Sequence, residues 1–447
     1  MSDLLSIGAS GVSAYRSALS VIGDNVANAE TDGYSRRSVS LKSSIASYGS
    51  DPLSLNRTVA GGVTRGEVVR AWDDFRASES RVSQADAGRA ETRVRWLSNV
   101  ETAITDSETG AGVALTAFFT SGSTLAANPN GTAPRQAFLA ALDETASTIR
   151  GSADALARAS AGVTAEASAM TAALNGNLQS LARVNDAMKR AAPGSAAAIS
   201  LSDTRDQLLD DISKQVGIDV KLDGRGVATV TLGGASNVTL VESNVAASFQ
   251  LKPANDGRLT LEATRLGELK IANPGGGALA GLVDAAATIA GRRADLDAIA
   301  ADFAGDVNAW QAGGRTPAGA AGLPLLTVAG GAAGLTLATK DTAAIAAASD
   351  ATANGNLSQL TSLRENGTEA RLAAMVTQHA LTVSYAKSES AAAATRRDNA
   401  FAARDEVGGV DLDREAAELL RYQQAYSGSA KLIQIARETL QSVLNLF

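Results

Sequence analysis

The 447-residue chain has no cysteine and a single histidine, His379. Without thiols there is no disulfide framework and no thiolate metal site, and one imidazole cannot build a histidine-rich metal site. A nucleophilic triad would have only His379 as its base. That residue falls on the apolar stripe Leu372, Val376, His379 and Val383, where a satisfied core histidine is the plainer reading. Aromatic residues are only 4% of the chain while hydrophobic residues are 45%, so packing must rest on Ala and Leu between helices. The formal net charge is −7 with no basic run, which argues against a nucleic-acid or anionic-membrane surface. No stretch approaches the roughly 20 apolar residues of a membrane span. The first residues carry no positive charge, and Ser6, Gly8, Ser10 and Ser13 interrupt their apolar run, so a cleaved secretory signal is not expected.

What the chain does have is a seven-residue rhythm at both ends. Leu5, Gly8, Val12, Tyr15, Leu19, Ile22 and Val26 recur at alternating steps of three and four. Leu419, Tyr422, Tyr426, Ser429, Ile433, Ala436, Leu440, Val443 and Phe447 do the same at the other end. Such spacing puts one narrow apolar stripe on each helix, the seam that a partner helix fills. Helices of this kind at both ends point to an assembling protein rather than to a pocket.

Between the ends the period changes twice. Helical patterns run from about residue 73 to 104, from near Pro134 to 192, and on through Leu201, Leu208, Ile212 and Val216. Over 217–272 the period becomes two: Ile218, Val220 and Leu222 alternate with charged residues, a Gly224-Arg225-Gly226 turn follows, and Ala228, Val230 and Leu232 resume the alternation. Phe249 and Leu251, a turn at Asn255-Asp256-Gly257, then Leu259 and Leu261 read as a second hairpin. The helical period returns with Leu282, Ile289, Leu296, Phe303 and Trp310, and after a Gly/Ala/Pro loop over 312–340 a helix is expected from 369 to 404. The expectation is a mainly α fold with an inserted small β-domain. Terminal coiled-coil helices (1–40 with 405–447) pair beside a long-helix bundle frame (41–216 with 277–404, including a short β/loop segment at 41–72), and the β-insert (217–276) faces outward.

Three constellations carry possible chemistry. Gly275-Gly276-Gly277-Ala278-Leu279-Ala280 fits a G-x-G-x-x-A dinucleotide fingerprint after a strand-like Leu269-Lys270-Ile271. The same glycines serve a plain strand-to-helix exit, and Asp295 and Asp297 fall within a helix rather than at the end of a second strand. Asp411-Leu412-Asp413-Arg414-Glu415 resembles the start of a calcium loop, but Ala416 stands where glycine is needed. Acids in the first turn of a helix are the simpler reading. Asp203, Asp206, Asp210 and Asp211, beside Arg205 and Lys214, read as a solvated helix face. The chain is expected to be no enzyme, to need no cofactor or metal, and to bind neither nucleic acid nor membrane.

Ser20 to Arg37, SVIGDNVANAETDGYSRR, resembles the N-terminal motif of flagellar rod, hook and hook-associated axial proteins, with Asn25, Asn28, Gly33 and Tyr34 as motif residues. The segment from Gly409, which contains Gln424 and Ala425, is similar to their C-terminal signature. Asp32 departs from that motif, which usually has Pro there; Asp-Gly can supply the turn instead. Three interior blocks (Gly61 to Phe75, Leu201 to Val220 and Gly277 to Ala300) resemble the hook-associated protein 1 (FlgK) family. The chain is short for that family, so an additional outer domain is not expected. The resemblance implies a structural protein at the joint between flagellar hook and filament. It further implies export without a cleaved signal, an export chaperone of the FlgN type on the C-terminal helix, and ring assembly on the hook protein with a second junction protein, FlgL, placed distally. A hook or rod protein of the same superfamily is the nearest alternative. The stripes are expected to order only against neighbouring subunits and to be matched across them.

Overall fold

A computed structural model describes residues 2–31, 33–44, 61–104, 110–234, 238–365 and 367–445. Asp32 and Phe447 lie outside the described residues. The chain opens with α1 (Ser2–Ala27) and an antiparallel hairpin, β1 (Arg37–Ser44) with β2 (Gly62–Arg70). Helices α2 (Asp74–Ile104), α3 (Ala111–Ala127), α4 (Thr132–Arg190) and α5 (Ala196–Gln215) follow. Asp73 starts α2 by accepting from the amides of Phe75 and Arg76 at 2.9 and 3.1 Å, and Ser195 starts α5 by accepting from Ala198 N. At 59 residues, α4 is about 90 Å long. It buries Phe138, Leu142, Ile149, Leu156, Val163, Leu174 and Leu181, so most of its length has a covered face.

The frame closes with α6 (Ala278–Gly313), the short α7 (Leu360–Glu365) and α8 (Thr368–Gly408), which runs antiparallel to α2. All five heptad positions predicted on α6, Leu282 to Trp310, are buried. At the centre, the rings of Phe118 and Phe138 lie 5.1 Å apart, and Phe303 meets Phe118 edge-on at 5.7 Å. The last helix, α9 (Leu412–Leu444), returns along α1, so the two ends lie side by side.

The described residues of 218–272 form seven strands: β3 (Ile218–Leu222), β4 (Ala228–Leu232), β5 (Thr239–Glu242), β6 (Val245–Ala246), β7 (Ser248–Pro253), β8 (Leu259–Arg265) and β9 (Glu268–Ala272). They form two antiparallel sheets, ordered β3-β4-β5-β6 and β7-β8-β9. The first hairpin pairs Val220 with Val230, turning at Gly226, whose φ is +80°. Val230 of β4, Leu240 and Val241 of β5, Phe249 of β7 and Leu261 of β8 enter the same apolar core as the helices. Two asparagines of α4 act as substitute strand partners: Asn185 exchanges bonds with the backbone of Ala228, and Asn175 with that of Phe249. On β9, the outer strand, Leu269 and Ile271 are exposed.

Two regions differ from the sequence expectation. Helix α3 had no place in it: its buried stripe is Ala111, Ala114, Leu115, Phe118, Phe119, Gly122 and Leu125, but the opposite face carries Thr116, Thr120 and Thr124 rather than charges, so the contrast between the faces is weak in the sequence. The 312–340 stretch is not wholly loop, since β10 (Leu326–Val328) and β11 (Leu335–Leu337) pair there as a three-residue hairpin.

Candidate functional site

Helices α1 and α9 meet antiparallel with very little between them. A Cβ on Gly8 would lie 2.7 Å from Ile433 Cγ1, and one on Gly11 would lie 2.6 Å from Ser429 Oγ. The missing side chains therefore set the closeness of the two axes. The Tyr15 and Tyr422 rings pack at 6.1 Å. On its other flank α1 touches the β1–β2 hairpin, where the Ser10 hydroxyl accepts from Val63 N at 3.2 Å. Of the predicted seam, Ile22 and Ala436 are buried; Leu5, Val12, Tyr15, Leu19, Leu419, Tyr422 and Ile433 are half-buried; Val26, Tyr426, Leu440 and Val443 are exposed. The covered face of α1 is made of Gly8, Gly11, Ala14, Ala18, Ile22 and Asn25, rotated from the stripe of larger residues. The sequence reading centred on Leu and Val because small residues do not register as apolar anchors.

At the far end of the pair stands Asn25, 1% exposed and fully bonded. Its amide nitrogen donates to Arg37 O at 2.8 Å and to Glu415 Oε2 at 3.0 Å. Its oxygen accepts from the Tyr34 hydroxyl at 2.9 Å and from Arg37 N at 3.0 Å. One side chain thus ties the end of α1, the start of β1 and the first turn of α9. Burial raises the Tyr34 pKa, which keeps the phenol protonated and able to donate. Asn28 closes the helix end by donating to Asp24 O at 2.8 Å. Gly33, at φ +75°, passes so close to Gln207 that a Cβ would meet its Cγ at 2.5 Å. The motif residues Asn25, Asn28, Gly33 and Tyr34 are therefore brought together, whereas Gln424 is exposed and Ala425 half-buried farther along α9. Asp411 caps α9 by accepting from Asp413 N and Arg414 N, so the calcium-like run is a helix start.

The acidic face of α5 is where the structure corrects the sequence reading. Asp203, Asp206 and Asp210 are not a solvated face; they form a ladder of ion pairs beside the knot. Asp203 takes Arg37 of β1 at 2.6 Å and Arg70 of β2 at 2.9 Å. Asp206, 3% exposed, takes Arg70 at 2.9 Å, Arg81 of α2 at 3.4 Å and its neighbour Arg205 at 2.8 Å. Asp210 takes Arg81 and, from α8, Arg404, both at 2.8 Å. Steps of three and four put the three carboxylates on one helix face, and the arginines arrive from four separate elements. Trp72 lies under the Arg70 guanidinium at 4.8 Å. Only the Asp211–Lys214 pair fits the solvated reading, with side chains 53% and 56% exposed. The signal that was available is the number of arginines flanking predicted elements, but their convergence is a tertiary fact.

The Gly275–Ala280 run has packing work instead of a phosphate cradle. Gly277 N donates to Ala85 O at 2.7 Å, and a Cβ on Gly277 would lie 2.4 Å from the Gln215 carbonyl carbon. Every described strand pair is antiparallel, whereas the fingerprint requires a parallel βαβ unit. Among the described residues no three His, Asp or Glu side chains group as a metal site, and no helix is long and apolar enough to cross a membrane.

Helices α1 and α9, built into one layer and bolted to a helical frame, define a structural protein. Three family models match in that order along the chain: "Flagella basal body rod protein" at residues 5–34, "Flagellar hook-associated protein FlgK helical domain" at 97–326, and "Flagellar basal body rod FlgEFG protein C-terminal" at 404–446. The helical-domain match spans half of the chain, and the chain belongs to the FlgK family of flagellar hook-associated proteins. Flagellar hook-associated protein 1 of Salmonella typhimurium is 26% identical over 57% of this chain and 45% of its own length; that of Bacillus subtilis is 23% identical over 97% and 96%. The chain thus aligns with about half the length of the Salmonella relative. The flagellar hook junction protein FlgK from Burkholderia pseudomallei shares the fold, with a TM-score of 0.50 and 23% identity over 56% of this chain and 47% of that one.

Proposed function

We propose that this protein is a structural component of the bacterial flagellar axis that joins hook to filament, assembling as a ring with copies of itself through the α1–α9 layer. The observation that carries this reading is the coupling of that layer to the frame: the Asn25 knot and the α5 ladder fix the angle at which the terminal pair leaves the bundle. Val26, Tyr426, Leu440 and Val443 stay open, and Leu420 and Ile435 of α9 are 59% and 60% exposed. The pairing expected across subunits occurs within one chain, so lateral contacts fall to these open apolar positions. On this reading the protein is exported without a cleaved signal to the outside of the cell. Its partners are a FlgN-type chaperone holding α9 before assembly, the hook protein below and a FlgL-type junction protein above.

The test is the double substitution Ile435→Asp with Val443→Asp. The monomer keeps its circular dichroism spectrum and melting temperature, because both side chains face outward, while cells carrying the variant shed their filaments. Normal filament retention by the variant would sink the assignment.

A further inference from the structure

We infer that His379 is an acid-sensitive latch between α8 and α2, which loosens their contact when its ring takes up a second proton. Nε2 lies 2.9 Å from Leu97 O. A carbonyl only accepts, so Nε2 carries the ring proton and Nδ1 is the bare nitrogen. Nδ1 is buried with no hydrogen-bond partner, and the whole residue is 0% exposed beside Leu97, Val383 and Ala386. A neutral ring leaves only a lone pair unmet. A protonated ring would leave a buried N–H and a unit charge without an acceptor, a far larger cost.

Few charges face the ring. From α2 comes Glu101, which Lys387 of α8 approaches at 3.8 Å. From α6 comes Arg292, held at 2.9 Å by Asp295 and at 3.3 Å by Gln378. Burial pushes the ring below its ordinary 6.5, against the Leu97 carbonyl, which favours the charged form; Arg292 adds to the lowering and Glu101 opposes it.

The sign follows from proton counting. Well above 6.5 the ring is neutral both folded and unfolded, and the latch adds nothing. Below 6.5 the unfolded ring binds a proton that the folded ring refuses, so stability falls as the pH falls, by at most about tenfold in the opening constant per pH unit. With one histidine in the chain, no second imidazole shares that window.

The experiment compares the full chain with His379→Gln, whose amide can still donate to Leu97 O and does not titrate. Deuterium uptake is followed across α8 at pH 7.5 and 5.5, comparing the two proteins at each pH. The expected result is equal uptake at 7.5 and uptake several-fold faster in the parent chain at 5.5. Equal uptake at both values overturns the latch. Should the variant fail to fold, NMR titration of the single imidazole decides: an inflection below 6.5 supports the latch, and one at or above 6.5 overturns it.

Discussion

Phe118, Phe138 and Phe303 meet within 5.7 Å in the frame and are almost wholly enclosed, whereas the covered part of the α1–α9 layer is mostly small residues, Gly8, Gly11, Ala14, Ala18 and Ala436, beside half-buried side chains. The frame is held by apolar area, in large residues drawn from α3, α4 and α6. The terminal layer has little such area, and its fixity comes from directed polar contacts: one asparagine with four bonds and three aspartates against five arginines. Apolar packing stabilises without prescribing an angle, while an ion-pair ladder anchored on four elements prescribes an angle even where it adds little net stability. A part that has to meet neighbours at a set tilt needs the second kind of support.

The contrast can be broken first at its apolar side. Phe138→Ala should lower the stability of the whole chain by about 3–5 kcal/mol, as emptied aromatic sites do, seen as one cooperative shift in denaturant midpoint. A midpoint unchanged within error would mean that the phenylalanine cluster is not the centre of the frame. Asp206→Ala tests the polar side. It strands Arg70, Arg81 and Arg205 with fewer acceptors and should cost about 3 kcal/mol, read as faster deuterium uptake in β1, β2 and the start of α2, with α4 and α6 still protected. Uniform loss of protection would erase the distinction between the two regions. Asn25→Ala is the smallest, about 2 kcal/mol for the unmet partners it leaves. Protease should then clip α1 and the first turn of α9 sooner than in the parent chain, and equal clipping rates would show that the knot does not hold the layer.

Long elements with a repeated apolar position could be read from the sequence: α2, α4, α6 and α8 were expected close to their observed spans, and the two hairpins of the insert came from the change to period two. Helix α3 was hidden because no charged residue marks its exposed face, and the β10–β11 hairpin by strands too short to show a period. In the candidate site, Asn25 and Tyr34 were picked out by resemblance, but not their shared oxygen. The α5 aspartates were misread because charge on a helix looks the same whether water or arginine answers it. What decides between the two is the arrival of Arg37, Arg70, Arg81 and Arg404 from up to some 200 residues away, and no local pattern holds that.

The Asn25–Glu415 bond joins residues 390 apart in sequence. A loop of that span closes late, after local contacts have formed. A chain still being made cannot close the loop before α9 emerges, so until then α1 has the β1–β2 hairpin to pack against but not α9. The knot therefore works as a late lock: a chain without α9 can build its frame, but only one that carries α9 can display the paired helices.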